Sequence, residues 1–120
     1  MASLAGMVTL SSPSWDAWFT PCVEVGWRFA KQHWGHGFAP EAAAAVIDWA
    51  FANLDLPGDR IVSFTTVQNI KSRRVMEKLG FTHDPADDFD HPLLEGWVES
   101  RHVLYVLPRS GIESYRERGV

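Results

Sequence analysis

The feature that most constrains the fold is one long helical pattern with a strand pattern on each side of it. Between residues 39 and 54, small and apolar side chains recur at helical spacing, and Pro40 and Glu41 suit a first turn. Residues 23–29 alternate apolar and polar side chains, and residues 60–67 are rich in β-branched and aromatic side chains. Strands that alternate with helices predict an α/β protein.

A second, shorter helix is predicted over residues 70–79. Asn69 stands where an N-terminal cap belongs, because its side chain can accept a bond from a free backbone N–H of the first turn. At the other end, Gly80 followed by Phe81 matches a glycine C-terminal cap with its hydrophobic contact. These signals give the second helix a defined start and stop.

The remaining segments are shorter or more polar. Residues 5–11 fit a short strand and residues 102–107 fit a last one. Residues 82–96 are rich in Asp, His and Pro and predict a long loop. The polar tail over residues 108–120 is expected to fray.

Composition excludes several classes of protein. The chain of 120 residues is 46% apolar and 22% charged, which fits a single globular domain over residues 1–120. A net charge of -4 argues against nucleic-acid binding, which needs a basic stripe. Cys22 is the sole cysteine, so no internal disulfide can form and a reducing cytoplasm fits best. No apolar run reaches the length of a membrane span.

A glycine turn lies between the second strand and the long helix, in residues 32–39. Gly35 and Gly37 let the backbone approach a ligand, and the free N–H groups of the helix start could hold a pyrophosphate. The segment has neither the Gly-Lys-Ser/Thr of a Walker loop nor three dinucleotide-binding glycines. An ordinary glycine turn remains the alternative. His33 and His36 lack a third ligand, so no metal site is predicted.

Two motifs in this order resemble the GNAT N-acetyltransferase superfamily. Gln32, Gly35 and Gly37 fit its cofactor-loop pattern Gln/Arg-x-x-Gly-x-Gly/Ala. Residues 69–81 read NIKSRRVMEKLGF, which is similar to the second helix of the RimJ/RimL-type ribosomal-protein branch. Three shorter pieces also look like that branch: EVGW at 24–27, WG at 34–35 and FDHP at 89–92. The resemblance covers roughly residues 6–107.

The resemblance implies a cofactor and a place for it. In the family, the strand before the glycine turn splays from its neighbour, and the pantetheine arm of acetyl-CoA lies in the gap. On that implication the pantetheine would run beside Val25, Gly26 and Trp27. The pyrophosphate would meet the loop residues Gln32, His33, Trp34, Gly35, His36, Gly37, Phe38 and Ala39.

The same resemblance implies a fold and a reaction. The expected fold is α/β, with a mixed, mostly antiparallel sheet flanked by helices. The expected reaction moves an acetyl group from acetyl-CoA to a primary amine, and the ribosomal-protein branch suggests a protein N-terminus as the acceptor. About twenty residues precede the strand at Val23, so the N-terminal strand and first two helices of the family domain are expected to be missing. A partial domain of this kind is expected to self-associate as a homo-oligomer.

The reaction needs a base for the ammonium ion and a proton for the departing thiolate. Glu24, on the strand nearest the expected thioester, is the candidate base; pairing with Arg28 is the alternative. Many family members use a tyrosine in the second helix as the acid, but Met76 stands in that place. Ser72, one turn earlier, is the candidate acid, and a serine bonded to a helical carbonyl or to the cap is its alternative.

Two further residues on the second helix could meet the cofactor. The resemblance implies that Asn69 bonds to the pantetheine arm in addition to capping the helix. Arg73, with Lys71 and Arg74, forms the one local basic cluster, which could meet CoA phosphates or simply be a solvated helix face. The other histidines, His83, His91 and His102, are expected to make structural hydrogen bonds.

Two other classes of function compete with the enzyme. The missing tyrosine suggests a non-catalytic acyl-CoA-binding or scaffold protein, which would bind CoA without turnover. The glycine turn could also belong to a different α/β phosphate-binding enzyme, for which ATP or a dinucleotide would compete better than CoA.

Overall fold

The computed structural model describes residues 6–29 and 38–110, which contain two helices and six strands. The elements in chain order are β1 (Gly6–Ser11), β2 (Glu24–Phe29), α1 (Phe38–Asn53), β3 (Arg60–Thr66), α2 (Ile70–Lys78), β4 (Thr82–His83), β5 (Phe89–Asp90) and β6 (Arg101–Pro108).

The strands form one mixed sheet in the order β1-β2-β3-β6-β4, with β5 paired to β6 as well. Within the described residues, β2 and β3 are parallel and the other four pairings are antiparallel. The predicted fold class, a mostly antiparallel mixed sheet flanked by helices, is therefore confirmed. The last strand in sequence lies inside the sheet, between β3 and β4.

The region predicted as a long loop is more ordered than expected. It contains β4 and β5 together with short 3₁₀ turns, of which Pro85–Asp87 and Pro92–Leu94 lie within the predicted loop. Phe89 is buried at 8% exposure and pairs with His102 on β6. Strands of two residues are too short to show an alternating pattern, which is why the sequence indicated only a loop.

Two cores lie on the two faces of the sheet. Helices α1 and α2 pack on the first face, where Val25, Ile47, Met76, Leu79, Tyr105 and Leu107 are among the buried residues. The opposite face is covered by aromatic residues from the β1–β2 connection and from β3 and β5, including Trp15, Phe19, Phe64 and Phe89. Cys22 is buried in this second core.

Both predicted caps of α2 are present. The Asn69 side chain accepts a hydrogen bond from Ser72 N–H at 3.2 Å, which satisfies one free donor of the first turn. At the C-terminal end, Phe81 N–H donates to Met76 O and Gly80 N–H donates to Glu77 O, with Gly80 at φ 97°. This pair of bonds is a Schellman motif, and glycine adopts its left-handed conformation without a side-chain penalty.

The C-terminal end of the described chain is anchored. Pro108 belongs to β6, and Arg109 donates to Asp59 Oδ1 at 2.7 Å and to Phe51 O at 2.7 Å. Residues 111–120 lie outside the described residues, and the fraying of the tail stays a prediction. No helix in the part of the chain that the structure describes is long and apolar enough to cross a membrane.

Candidate functional site

The candidate site lies at the carboxyl ends of the parallel strands β2 and β3, where their pairing stops. Their pairing contains one residue pair, Glu24 with Val62, although both strands continue beyond it. Val23 O accepts from Val62 N–H at 3.0 Å, and Val25 O accepts from the Ser63 hydroxyl at 2.8 Å. No residue pair joins β2 and β3 beyond this point in the part of the chain that the structure describes, and we call the unpaired region that follows Val25 the gap.

The backbone of β2 offers hydrogen-bonding groups to this gap. Because Val23 and Val25 direct their carbonyls toward β3, alternation along the strand directs the N–H and C=O of Trp27 the same way. Gly26 directs its own backbone groups toward β1, where it pairs with Thr9. Trp27 can therefore bond to a chain lying in the gap, whereas the backbone groups of Gly26 are directed to β1, and close approach of the cofactor at Gly26 stays a prediction.

Both helices start at the same end of the sheet, where the carboxyl ends of β2 and β3 lie. Helix α1 follows β2 and leads back to the parallel strand β3, so its N-terminus lies toward the carboxyl end of β2. Helix α2 starts directly after the carboxyl end of β3. The positive dipole ends of the two helices therefore point toward the same end of strands β2 and β3, which favours an anionic ligand there.

Glu24 stands at the mouth of the gap, on the face opposite the helices. Its neighbour Val25 belongs to the helix-side core, so alternation places the Glu24 side chain on the other face. Oε1 accepts from the Ser11 hydroxyl at 3.1 Å, across the strand pair β1–β2. Burial raises the pKa of Glu24, and the bond from Ser11 opposes part of that rise. The raised pKa makes the carboxylate a better proton acceptor.

The second carboxylate oxygen of Glu24 is directed along the strand. A side chain added at Gly26 would meet Glu24 Oε2 at 3.9 Å, so that oxygen lies over the glycine. No ion pair joins Glu24 to Arg28 among the described residues, and the recorded side-chain partner of Glu24 is Ser11. The alternative reading, in which Arg28 holds the carboxylate, has no support in this geometry.

On α2, Ser72 and Met76 differ in how deeply their side chains are buried. Met76 is 2% exposed and belongs to the helix-side core, so it contributes packing only. Ser72 lies one turn closer to the helix start and is half-buried. The recorded bond of Ser72 comes from its backbone N–H to Asn69, and its hydroxyl has no partner among the described residues. The role of the Ser72 hydroxyl as an acid stays a prediction.

Arg73 is largely engaged inside the fold. Its Nε donates to the Tyr105 hydroxyl at 3.2 Å, and Nη1 donates to Val67 O at 3.0 Å. The Tyr105 hydroxyl in turn donates to Glu77 Oε2 at 2.8 Å. These bonds join α2 to β6, so Arg73 stabilises the packing of the helix on the sheet. Contact with CoA through its remaining amino group stays a prediction.

Most of the predicted pyrophosphate loop cannot be placed. Gln32, His33, Trp34, Gly35, His36 and Gly37 lie outside the described residues, Phe38 begins α1, and Ala39 follows in its first turn. Asn69 is confirmed as the cap of α2, and its bond to pantetheine stays a prediction.

The three described histidines all take part in hydrogen bonds. His83 Nε2 lies 2.7 Å from Asp88 Oδ1, and His102 Nδ1 lies 2.8 Å from Ser100 O. His91 Nδ1 accepts from Leu93 N–H at 3.2 Å. Burial, with a smaller contribution from His102, lowers the pKa of His91. Within residues 6–29 and 38–110, no group of three metal-binding side chains is placed to hold an ion.

Two residues at the site carried no signal in the sequence. Ser11 and Ser63 act on partners in other strands, Glu24 and Val25, which lie 13 and 38 positions away along the chain. Neither serine stands in a local motif, so the strand register is needed to find them.

Residues 2–82 match the family model described as the acetyltransferase (GNAT) domain. An uncharacterized N-acetyltransferase of Bacillus subtilis, YnaD, is 36% identical over 61 residues, which is 51% of this chain and 35% of that protein. The FsC-acetyl coenzyme A-N(2)-transacetylase of Aspergillus fumigatus is 34% identical over 110 residues, covering 92% of this chain and 39% of that protein.

Among solved structures, RimJ of Mycobacterium smegmatis in complex with CoA-disulfide superposes with a TM-score of 0.75. The match covers 98% of this chain and 55% of that one at 20% identity, which shows a shared fold. With the family match over more than half of its length, the chain belongs to the GNAT acetyltransferase family. It spans about a third to less than half of the length of the curated relatives it matches.

Proposed function

We propose that this chain carries the acetyl-CoA site of an N-acetyltransferase that acetylates a primary amine, with Glu24 as the general base and Ser72 as the acid. The observation that carries the proposal is the gap between β2 and β3, with a carboxylate of raised pKa at its mouth. Membership of the GNAT family and the likeness to a CoA-bound RimJ structure support the same cosubstrate.

In this proposal the two substrates bind on opposite faces of the sheet. Both helix N-termini and the half-buried Ser72 belong to the helix side, where the phosphates and pantetheine of acetyl-CoA would bind. Glu24 lies on the opposite face. An acceptor amine on the Glu24 face would then meet the thioester through the gap, and the two substrates need not compete for one pocket.

In the proposed reaction the amine forms a C–N bond to the acetyl carbon while the C–S bond of acetyl-CoA breaks. Glu24 Oε2, directly or through a water, takes the proton from the ammonium group so that its lone pair becomes nucleophilic. After attack, the nitrogen carries one further proton that it loses as the amide forms; the Ser72 hydroxyl donates its own proton to the departing thiolate and takes up that nitrogen proton, directly or through a water, so that it ends neutral. Trp27 N–H and C=O hold the pantetheine amides in register with the carbonyl.

The acceptor is proposed to be a protein N-terminal amine. The likeness of residues 24–27, 69–81 and 89–92 to the ribosomal-protein branch supports this choice, as does the shared fold with RimJ. A non-catalytic CoA-binding protein is the second candidate, and the buried Met76 in the place of the family tyrosine favours it.

Acetyl-CoA and CoA are expected to raise the melting temperature of the chain, since a ligand that binds only the folded state stabilises it by mass action. At 100 times Kd the stabilisation would be about 2.7 kcal/mol. Thermal unfolding with increasing CoA, and with ATP and NAD for comparison, measures it. ATP stabilising more than CoA at equal concentration would contradict the proposal.

Gly37→Val provides the matched loop variant. A β-branched side chain there should block the approach of the pyrophosphate to the backbone, so the CoA-dependent rise should disappear while the ligand-free melting temperature changes little.

Acetylation of short peptides with free and blocked N-termini distinguishes an enzyme from a non-catalytic CoA-binding scaffold. CoA binding without any acetylated peptide would favour the scaffold.

Ser11→Ala is expected to move the acid limb of the pH–rate profile to higher pH. The Ser11 hydroxyl donates to Glu24 and stabilises its ionised form, so the loss of that bond raises the pKa of Glu24 further. A base must be deprotonated to act, and activity is lost as the pH falls through its pKa; a higher pKa therefore loses activity earlier. Burial, then the charge of Glu24, raises the pKa of the neighbouring Cys22 thiol.

The profile of kcat/KM against pH measures the shift, with Ser12→Ala as the control on the adjacent exposed serine. Superimposable profiles for Ser11→Ala and the parent chain would show that the Ser11 bond does not tune the base.

A further inference from the structure

Ser63 is a polar side chain in a place where the strand would otherwise carry an apolar one. It is 2% exposed, and it lies in β3 between Val62 and Phe64. Burying a hydroxyl is unfavourable unless it finds a partner. Its recorded partner is the backbone carbonyl of Val25 on β2, 2.8 Å away. The reason for a buried hydroxyl at this position should therefore lie in what its bond does to the Val25 carbonyl.

The acceptor, Val25 O, is the atom that would make the next hydrogen bond of the parallel ladder. Val62 N–H bonds to Val23 O at 3.0 Å, and the ladder pairs Glu24 with Val62. In a regular parallel pair the following rung would run from Phe64 N–H to Val25 O and would extend the pairing by one residue. That extension is not present, and the hydroxyl of Ser63 occupies Val25 O in its place.

We infer that Ser63 fixes the point at which β2 and β3 separate and thereby sets where the gap for acetyl-CoA begins. It is a positioning residue, since it acts through the Val25 carbonyl and needs no contact with the cofactor. By satisfying that carbonyl, the hydroxyl leaves the facing backbone groups of Trp27 and Phe64 to a ligand. The inference rests on the proposed use of acetyl-CoA at this gap.

Amide hydrogen exchange on the parent chain without ligand gives the first test. Phe64 N–H faces the gap, whereas Val62 N–H is bonded to Val23 O, so Phe64 should exchange at least about tenfold faster than Val62. CoA should then slow the exchange of Trp27 N–H. Equal protection of the Phe64 and Val62 amides in the free chain would overturn the inference, because the ladder would then continue past Val25.

Ser63→Ala gives the second test. With the hydroxyl gone, Val25 O loses its donor, and Phe64 N–H is its partner in a regular parallel ladder, so the ladder should extend by one residue and shorten the gap. We expect CoA to bind about tenfold more weakly, as for one misplaced hydrogen bond, and the Phe64 amide to become protected. Ser63→Thr keeps the hydroxyl and should restore both properties. Thr65→Ala, two positions along β3, is the matched control and should change neither.

Titration calorimetry with CoA and amide exchange together separate the outcomes. Unchanged CoA affinity in Ser63→Ala, or weaker affinity without new protection at Phe64, would each overturn the inference. If Ser63→Ala does not fold, Ser63→Thr and the exchange rates of the parent still decide it, because fast Phe64 exchange and parent-like affinity are both required. A parent chain that binds no CoA would instead refute the proposed function and remove the cofactor from the inference, whatever the exchange rates are.

Discussion

Replacing Glu24 by glutamine is expected to lower kcat by about 100-fold or more while CoA affinity stays the same, the loss typical of a positioned general base. Glutamine keeps the size of the side chain and can still accept from Ser11, but it cannot take a proton at neutral pH. The acid limb of the pH–rate profile should also disappear, because the group that titrates there is gone. Steady-state kinetics and titration calorimetry with CoA measure the two properties separately.

Two controls show whether the effect belongs to the base. Asp16→Asn removes an exposed carboxylate from the β1–β2 connection and should leave kcat unchanged. Arg28→Gln tests the alternative in which Glu24 serves as an ion-pair partner, and it should have a small effect because no such pair is formed among the described residues. A pH–rate profile of Glu24→Gln that matches the parent would remove Glu24 from the mechanism.

The long elements were predictable because their signals are local. Helix α1 spans Phe38–Asn53, against a prediction of residues 39–54, and β3 spans Arg60–Thr66, against 60–67. The caps of α2 were predictable for the same reason, since Asn69 and Gly80 act on backbone groups within a few residues.

Long-range pairing was not predictable from local patterns. The position of β6 between β3 and β4, and the two-residue strands β4 and β5, depend on partners far along the chain. The same limit applies to the site: Glu24 could be proposed from its strand, but its bond from Ser11 requires the β1–β2 register. Arg73 shows the same limit from the other side. Its basic neighbours in the sequence suggested an exposed cation, but in the fold its guanidinium donates to the Tyr105 hydroxyl and to Val67 O.

Tyr105→Phe is expected to destabilise the chain by about 1–3 kcal/mol and to lower the melting temperature by several degrees. Tyr105 is 1% exposed, and its ring stacks on His83 with centroids 4.9 Å apart, so phenylalanine preserves the packing. What is lost is the hydroxyl that accepts from Arg73 and donates to Glu77. Burial raises the pKa of Tyr105, so the phenol is protonated and both bonds persist at neutral pH.

The comparison with Thr82→Val shows why the loss should be large at Tyr105. The Thr82 hydroxyl also bonds to β6, at 3.4 Å to Val106 O, but it is exposed and water can replace it, so that variant should lose less than about 0.5 kcal/mol. At Tyr105 the two broken bonds join α2 to β6, and α2 carries Asn69 at its cap and Ser72 in its first turn. Tyr105→Phe should therefore also weaken CoA binding, which Thr82→Val should not. Urea unfolding with and without saturating CoA measures both effects, and equal midpoints for the two variants would show that the Tyr105 hydroxyl does not hold the helix in place.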